Sequence, residues 1–195
     1  MTDSPAGTAE TREIPALIER LARLLRAEEF DAGLNPAQWE ALRYLARCNR
    51  FSNSPAAIAA YLGATKGTVS QTVQALERKG LIGKAPRPGE GRSVILHLTG
   101  AGHAMLRRDP RRRVGPAAAS MTAAGLEALE CGLRALLIDR LRRNGLRTFG
   151  ICSSCRFFIR DHAPGNPDGA HRCGLLHVPL KDSDSARICV EHEPA

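Results

Sequence analysis

The stretch from Ser54 to Gly80 most constrains what this chain can fold into, because it encodes two short helices separated by one glycine. Ser54 and Pro55 are a helix cap and a first helical residue, and the following AAIAAYL ends at Gly63, which tolerates a left-handed backbone. Thr65 is placed to cap the next helix, KGTVSQTVQALERK, which ends at Gly80. The pattern predicts two helices joined by a tight turn.

A β-hairpin is predicted directly after these helices. LIGKAP and SVILHLT flank the turn RPGEGR, and Val94, Leu96 and Leu98 recur at every second position, as in a half-buried strand. Two helices joined by a tight turn and followed by a hairpin make a winged helix-turn-helix, in which the second helix enters the major groove of DNA. The alternative is a helical hairpin inside an ordinary core, with its polar residues solvated.

The second helix carries residue types that read DNA. Val69, Val73 and Leu76 form its apolar side, and the opposite side is uncharged at its centre and rich in hydrogen-bonding groups. We therefore favour the DNA-reading interpretation over the solvated hairpin. The predicted contacts from this helix are Lys66 and Gln71 at base edges, and Thr68 and Ser70 at phosphates or bases.

Three further helices are predicted around this unit. Asn35 and Gln38 have the spacing of a capping box, and Trp39 lies on the buried side of the helix that they begin. Residues 14–25 and 126–141 carry apolar side chains at helical spacing, the latter on a helix predicted over 122–143. These two stripes exceed what so small a winged domain can bury, so a second subunit is expected to cover them.

The same region resembles the MarR family of winged-helix regulators. The resemblance rests on PAAIAAYLGATKGTVSQTVQALERKGLI, on the wing PRPGEGRSVILHLT and on the following GAGHAML, and it extends over about residues 13–143. It implies an obligate homodimer that binds a pseudo-palindromic operator in double-stranded DNA and represses transcription. Arg92 falls where the family places the wing arginine that reaches into the minor groove. Glu90 stands where the family has Asp, so the shape of the wing is expected to differ.

Charge and apolar patterning limit the class of protein. The net charge is +8, and residues 1–149 hold 23 Lys and Arg against 14 Asp and Glu, whereas residues 150–195 hold 5 against 6. The first part is therefore the candidate for a polyanionic partner. The sequence shows no secretory signal and no run of about 18 apolar residues, which predicts a cytoplasmic protein with no membrane contact.

An enzyme is not expected, because the sequence has no Ser/His/Asp order, no phosphate-binding glycine loop and no H-E-x-x-H motif. The dense basic run RRDPRRRV is interrupted at Pro110, which should break or kink its helix. We do not assign this run as a site, since a solvated helix end explains it at least as well as phosphate contact.

Four of the six cysteines lie in the last quarter of the chain, at Cys152, Cys155, Cys173 and Cys189. Cytoplasmic thiols are kept reduced, so clustered cysteines favour metal ligands over disulfides. Residues 150–195 also hold few aliphatic side chains, and bound metal would supply the stability that they lack. The remaining two, Cys48 and Cys131, lie on predicted helices and are expected to be small buried hydrophobes.

Three interpretations of the four cysteines are open. A disulfide or thiol-redox pair at Cys152 and Cys155 leaves the other two unexplained. Structural zinc is a serious rival, although zinc ligands usually come as two close pairs. The third is an iron–sulfur cluster, which we favour, with 4Fe–4S preferred. A histidine such as His171 could replace one thiolate.

The order of these residues resembles the cluster-binding segment of high-potential iron–sulfur proteins. It rests on C-x2-C followed by Arg-Phe-Phe, then Cys-Gly-Leu-Leu with Pro-Leu soon after, and a last single cysteine, over about 40 residues. The resemblance implies a 4Fe–4S cluster held by a close pair and two separate cysteines among aromatic side chains.

The sequence thus predicts a mainly α-helical chain with three parts. Residues 1–12 are expected to be disordered, 13–145 to form a winged helix-turn-helix with N- and C-terminal dimerisation helices, and 146–195 to form a small, loop-rich, metal-stabilised segment. The expected function is a dimeric repressor whose cluster senses iron, oxygen or redox state. The alternative is a regulator that responds to a small molecule and holds structural zinc in its tail.

Overall fold

The computed structural model describes residues 13–87 and 93–195 and is mainly helical. The helix-turn-helix and wing part comprises α1 (Glu13–Asp31), α2 (Pro36–Arg47), α3 (Pro55–Leu62), α4 (Lys66–Arg78), β1 (Ile82–Pro86), β2 (Val94–Leu98) and α5 (Gly100–Arg107). A 3-10 turn (Pro110–Arg113), α6 (Val114–Ala119) and α7 (Ala123–Arg143) follow. The C-terminal part comprises β3 (Gly150–Ile151), a 3-10 turn (Cys152–Ser154), β4 (Phe158–Ile159), β5 (His171–Cys173), β6 (Val178–Leu180), α8 (Asp182–Ser185) and β7 (Ile188–Cys189).

The helix starts follow the capping signals in the sequence. The Asn35 side chain accepts the backbone N–H of Gln38 at 2.9 Å, and the Gln38 side chain accepts the N–H of Asn35 in return. Ser54 and Thr65 each accept the backbone N–H three residues later, at the starts of α3 and α4. Gly63 ends α3 in the left-handed conformation with φ of 61°. The predicted bounds of these helices are confirmed.

The main core lies between α2, α3, α4 and the β1–β2 hairpin. Trp39, Ile58 and Leu76 are fully enclosed there, and the predicted inward side of α4 is confirmed. The alternation predicted for β2 holds only in part, because Leu96 is 1% exposed but Val94 is 36% exposed. Val94 pairs with Pro86 at the end of the hairpin next to the wing turn.

The two long outer helices bury almost nothing within one chain. No residue of α7 is buried, and five of its six leucines are 41–58% exposed. The helix nevertheless has the predicted bounds, with Thr122 as its cap. Cys131, expected to be buried, is exposed because the whole of α7 lacks a covering partner in the single chain. Within the described ranges, no helix is both long and apolar enough to cross a bilayer.

A buried ionic network joins α1 to α2 and to the turn after α5. Glu29 is 0% exposed, and its carboxylate accepts from Arg43 at 2.6 Å and from Arg111 at 2.8 Å. Arg43 also makes two bonds to Asp109, which caps the 3-10 turn that begins at Pro110. The break at Pro110 is therefore confirmed. Of the two explanations left open for the basic run, neither describes Arg111, which pairs with Glu29 inside the fold.

The last 46 residues form two small antiparallel sheets, β3–β7 and β4–β5–β6. Gly150 pairs with Cys189, and Phe158 pairs with Cys173, so the cysteines lie on or beside these short strands. Ile188 belongs to the main core of the winged-helix part, although it lies far from that part in sequence. We call residues 150–195 the cysteine-rich segment below.

Candidate nucleic-acid interface and thiol cluster

The predicted contact residues of α4 share one exposed surface. Val69 and Val73 are each 2% exposed and fix the helix on the core, so the opposite side faces outward. A helix of 13 residues anchored in this way can enter a major groove. The exposed predicted residues are Lys66, Thr68, Ser70 and Gln71. Arg92 and Glu90 of the wing lie outside the described residues.

Local hydrogen bonds orient part of this surface. The hydroxyls of Thr65 and Thr68 lie 2.9 Å apart, so Thr68 is tied to the helix cap. Gln74 donates to the Ser70 hydroxyl at 3.4 Å and is itself exposed. Gln74 was not among the contact residues predicted from the sequence. Its spacing of four residues from Ser70 was the signal that could have found it.

The wing is tied to the connection between α2 and α3. Leu96 of β2 donates its N–H to the Asn53 carbonyl at 2.7 Å, and the Asn53 side chain donates to the Leu96 carbonyl at 3.2 Å. The side chain of Arg87, at the start of the wing turn, donates to the Asn53 side chain at 3.4 Å. Asn53 is thus a positioning residue for the wing. Local sequence patterns carry no sign of this role, because the pairing spans 43 residues.

The four C-terminal thiols gather around Cys152. Cys152 and Cys189 are buried, Cys155 and Cys173 are half-buried, and all four are free thiols. Burial first, and then the nearby Cys189, Cys173 and Cys155, raise the pKa of Cys152 to about 12. In this arrangement of the four thiols, Cys152 is therefore a neutral thiol at neutral pH.

The donor set has the chemistry of a thiophilic metal site, but it is not closed around one ion. A single zinc ion needs thiolates about 3.8 Å apart, as follows from a Zn–S bond of about 2.3 Å in a tetrahedron. In residues 13–87 and 93–195, no three His, Cys, Asp or Glu side chains are placed to hold one metal ion. Cys173 Sγ already accepts the N–H of Leu176 at 3.4 Å, a bond that stabilises a sulfur carrying negative charge.

The nitrogen atoms of His171 are both engaged. Nδ1 accepts the backbone N–H of Asp161 at 3.0 Å, which leaves Nε2 to donate to Asp182 at 2.7 Å. The ring also packs edge-on against Phe158. In this arrangement His171 has no lone pair to offer a metal, and it holds β5 against the loop before it and the start of α8.

His192 differs from His171. Its Nε2 lies 3.0 Å from the Ser154 hydroxyl, and its Nδ1 is buried with no hydrogen-bond partner in the described part of the chain. Its ring also covers Gly150, where a Cβ atom would come within 2.5 Å of it. Gly150 is therefore required by this contact. Among the histidines near the cysteines, His192 has a buried ring nitrogen open to a further partner.

The cysteine-rich segment is docked on the end of α2. Asn49 donates its N–H to the Ile188 carbonyl, and Val190 donates its N–H to the Ser52 hydroxyl, both at 2.9 Å. Cys48 lies beside Ile188 in a parallel bridge and is 4% exposed, as predicted. Burial raises the pKa of the Cys48 thiol to about 11. We call residues 48–53 with 187–190 the docking seam.

Residues 32–93 match the model of the MarR family. The matched residues cover about a third of the chain and lie in its winged-helix part, whose fold is therefore MarR-like. No curated protein matches the chain. MarR-family members are transcription regulators, which supports the prediction that this chain is not an enzyme.

The solved structures agree with this assignment of the fold. A point mutant of Staphylococcus aureus MepR is 18% identical, with a TM-score of 0.54 over 66% of this chain and 96% of its own. The S. aureus MepR–DNA complex is 20% identical, with a TM-score of 0.52 over 65% and 97%. Streptococcus pneumoniae FabT in complex with DNA is 23% identical, with a TM-score of 0.53 over 65% and 94%. The MarR-like fold therefore accounts for about two thirds of the chain.

Proposed function

We propose that this protein is a dimeric DNA-binding transcription regulator, a repressor, whose cysteine-rich segment binds an iron–sulfur cluster and senses iron, oxygen or redox state. The observation that carries the DNA-binding part is the exposed polar side of α4, fixed on a buried apolar side within the MarR-matching residues. Two structural neighbours were solved with DNA, MepR and FabT. The basic charge of residues 1–149 suits a phosphate backbone.

The dimer is proposed from the uncovered sides of α1 and α7. Leu17 and Leu24 on α1 are 59% and 64% exposed, and Leu133 and Leu137 on α7 are 49% and 58% exposed. Apolar stripes of this extent are costly in water, and a second copy with the same two helices would cover them. A two-fold dimer would also present two copies of α4 to two half-sites about 34 Å apart.

The cluster is proposed from the chemistry and arrangement of the four thiols. A cluster spreads four cysteines around several iron and sulfide atoms, whereas zinc draws them onto one ion. The sequence order of one close pair and two separate cysteines suits the first arrangement better. When bound, the cluster would supply a redox-active centre between the strands of the cysteine-rich segment.

The test of the cofactor is an absorption spectrum of the full chain purified without oxygen, with iron, sulfide and zinc assayed on the same sample. We expect a brown protein with broad absorption near about 400 nm and about four irons and four sulfides per chain. A colourless protein with about one zinc per chain would refute the cluster and leave a structural zinc site. Operator binding with and without air would then separate a redox sensor from a regulator that responds to a small molecule.

The test of DNA binding is a salt titration of affinity for operator-length duplexes. A regulator that contacts phosphates loses affinity steeply with salt and prefers a pseudo-palindrome over random duplex by about 1,000-fold or more. A chain with no preference among duplex sequences would contradict the proposal.

A further inference from the structure

The docking seam and the wing meet in one short segment of the chain. Residues 48–53 connect α2 to α3 through a turn, in which the Ser52 N–H donates to the Asn49 carbonyl at 3.1 Å, and they contact the cysteine-rich segment at Cys48, Asn49 and Ser52. At the end of this connection, Asn53 pairs with Leu96 of the wing through two hydrogen bonds of 2.7 and 3.2 Å. The next residue, Ser54, caps α3, the first helix of the helix-turn-helix. A shift of residues 48–53 would therefore displace both elements that flank α4, namely α3 and the β1–β2 hairpin.

The contacts across the seam are mostly polar. Ser52 is fully buried, and its hydroxyl accepts the Val190 N–H at 2.9 Å. Arg187 donates to the Cys48 carbonyl at 3.4 Å. Asn49 is 1% exposed, and its side-chain nitrogen has no partner in the described part of the chain. Water would satisfy these polar groups after separation, so breaking their hydrogen bonds costs little net free energy.

Two side chains anchor the edges of the seam. Arg50 donates to the Pro179 carbonyl at 2.8 Å, and its Nε lies 3.4 Å from the Asp184 carboxylate, which is largely buried. Arg147 donates to the Val190 carbonyl at 2.7 Å. Ile188 provides the apolar part of the contact, since it is 8% exposed and belongs to the main core. The position of the cysteine-rich segment is thus set against the winged-helix domain of its own chain.

Phe149 lies where the chain enters the cysteine-rich segment. Its φ of 48° is in the left-handed region, which is strained for a bulky residue. Its ring packs edge-on against Tyr61 of α3 and Tyr44 of α2, with centroids 5.1 and 6.3 Å away. The Tyr44 hydroxyl donates to the Ser52 carbonyl at 2.8 Å. The aromatic cluster therefore holds the segment entry and the seam together.

We propose that the docked cysteine-rich segment holds the wing of its own chain in place through residues 48–53. Undocking the segment then loosens the β1–β2 hairpin beside α4. The biological meaning of this coupling rests on the proposed function. The coupling would connect the thiol cluster to the DNA-contacting surface through residues 48–53. It runs within one subunit and does not need a change at the dimer helices.

The test compares two aspartate substitutions in the cysteine-rich segment of the full chain. Ile188→Asp places a charge in the seam, whereas Leu175→Asp places the same charge at a side chain that is 40% exposed. Hydrogen exchange is measured for the wing peptide 93–98, for peptide 186–192 and for α1. We expect Ile188→Asp to speed exchange in both of the first two peptides by about 10-fold or more, and Leu175→Asp to leave the wing unchanged.

If Ile188→Asp prevents folding, Ser52→Ala serves as a milder substitution in the docking seam that keeps the chain folded. It removes the acceptor of the Val190 N–H and leaves the Ser52 carbonyl for Tyr44. We expect exchange of the Leu96 N–H to rise with that of Val190, by about 3-fold or more. Faster exchange at Val190 with an unchanged Leu96 would overturn the proposal. Exchange is measured without DNA and without metal, so its outcome does not depend on operator binding. A chain that binds no operator would therefore refute the proposed function but not the proposed link between the docking seam and the wing.

Discussion

The winged-helix domain and the cysteine-rich segment are stabilised by different kinds of contact. In the first, Trp39, Leu42 and Ile58 are 0% exposed and pack into one continuous apolar core. In the second, buried aliphatic side chains are few, chiefly Leu180 and Ile188, and the other enclosed groups are thiols and polar side chains. Ile188 packs into the core of the first region instead of a core of its own.

The difference indicates which region can carry a signal. A region held by a continuous apolar core responds little to its surroundings, because every substitution or opening costs several contacts at once. A region held by a seam, short strands and thiols can change state when the thiols gain or lose a bound centre. Under the proposed function, the stable region would read DNA and the conditional region would alter how it does so.

The largest effect is expected for the buried ion pairs of the winged-helix domain. Glu29→Ala leaves Arg43 and Arg111 without their shared carboxylate, so the free energy of unfolding should fall by about 4 kcal/mol. Asp184→Ala removes a seam pair whose Arg50 side chain is 47% exposed, and should cost only about 1 kcal/mol. Urea titrations of both variants would measure this; equal losses would erase the contrast between the regions.

Truncation of a buried apolar side chain should also distinguish the two regions, with a smaller effect on stability. Leu76→Ala opens a cavity in the main core and should lower the global free energy of unfolding by about 3 kcal/mol. Leu180→Ala should instead speed hydrogen exchange inside the cysteine-rich segment while the urea midpoint of the winged domain stays nearly constant. A global loss from Leu180→Ala as large as that from Leu76→Ala would show that the two regions form one cooperative unit.

Substitutions in the winged-helix domain should lower the affinity for DNA, whereas a matched substitution in the cysteine-rich segment should not. Gln71→Ala should cost about 1 to 3 kcal/mol and relax specificity at one base pair, whereas Lys66→Ala should weaken binding and reduce the salt dependence. Lys181→Ala removes the same charge from an exposed position in the cysteine-rich segment and serves as the matched control. Fluorescence anisotropy with operator and scrambled duplexes gives the measurement. Similar losses for Lys66→Ala and Lys181→Ala would argue against α4 as the reading helix.

The smallest expected effect is a change of stability with pH. Burial alone would raise the pKa of Asp109, but hydrogen bonds from Arg43 and from the Arg111 backbone outweigh it and hold that pKa below its ordinary value of 3.8. A carboxyl with a lowered pKa stabilises the fold above its unfolded pKa, and that stability is lost as the pH falls through the folded value. Asp109→Asn should flatten the decline of stability below pH about 4. An unchanged decline in this variant would assign the acid sensitivity to other carboxyls.

The sequence predicted what depends on neighbouring residues. The caps at Asn35, Ser54 and Thr65 and the inward side of α4 follow from spacings of three and four residues, which a single sequence displays. The outward side of α4 was predicted for the same reason. Its role in DNA binding stays a prediction.

Contacts between distant residues were not predictable from the sequence. Glu29 and Arg111 are 82 residues apart, and Val190 and Ser52 are 138 residues apart. Neither pairing follows from local periodicity, so Arg111 was considered only as part of a basic run, and no role was predicted for residues 48–53. The exposure of Cys131 was missed because helical spacing shows that a side is apolar but not what covers it.

Hydrogen exchange of the full chain, as isolated without oxygen and again after a treatment that removes bound metal, tests the central claim most directly. The account predicts that removal speeds exchange across residues 150–195 while α2 and α4 stay protected, because the apolar core needs no bound centre. Unchanged exchange in the cysteine-rich segment, or an equal rise in α2, α4 and the segment, would contradict it.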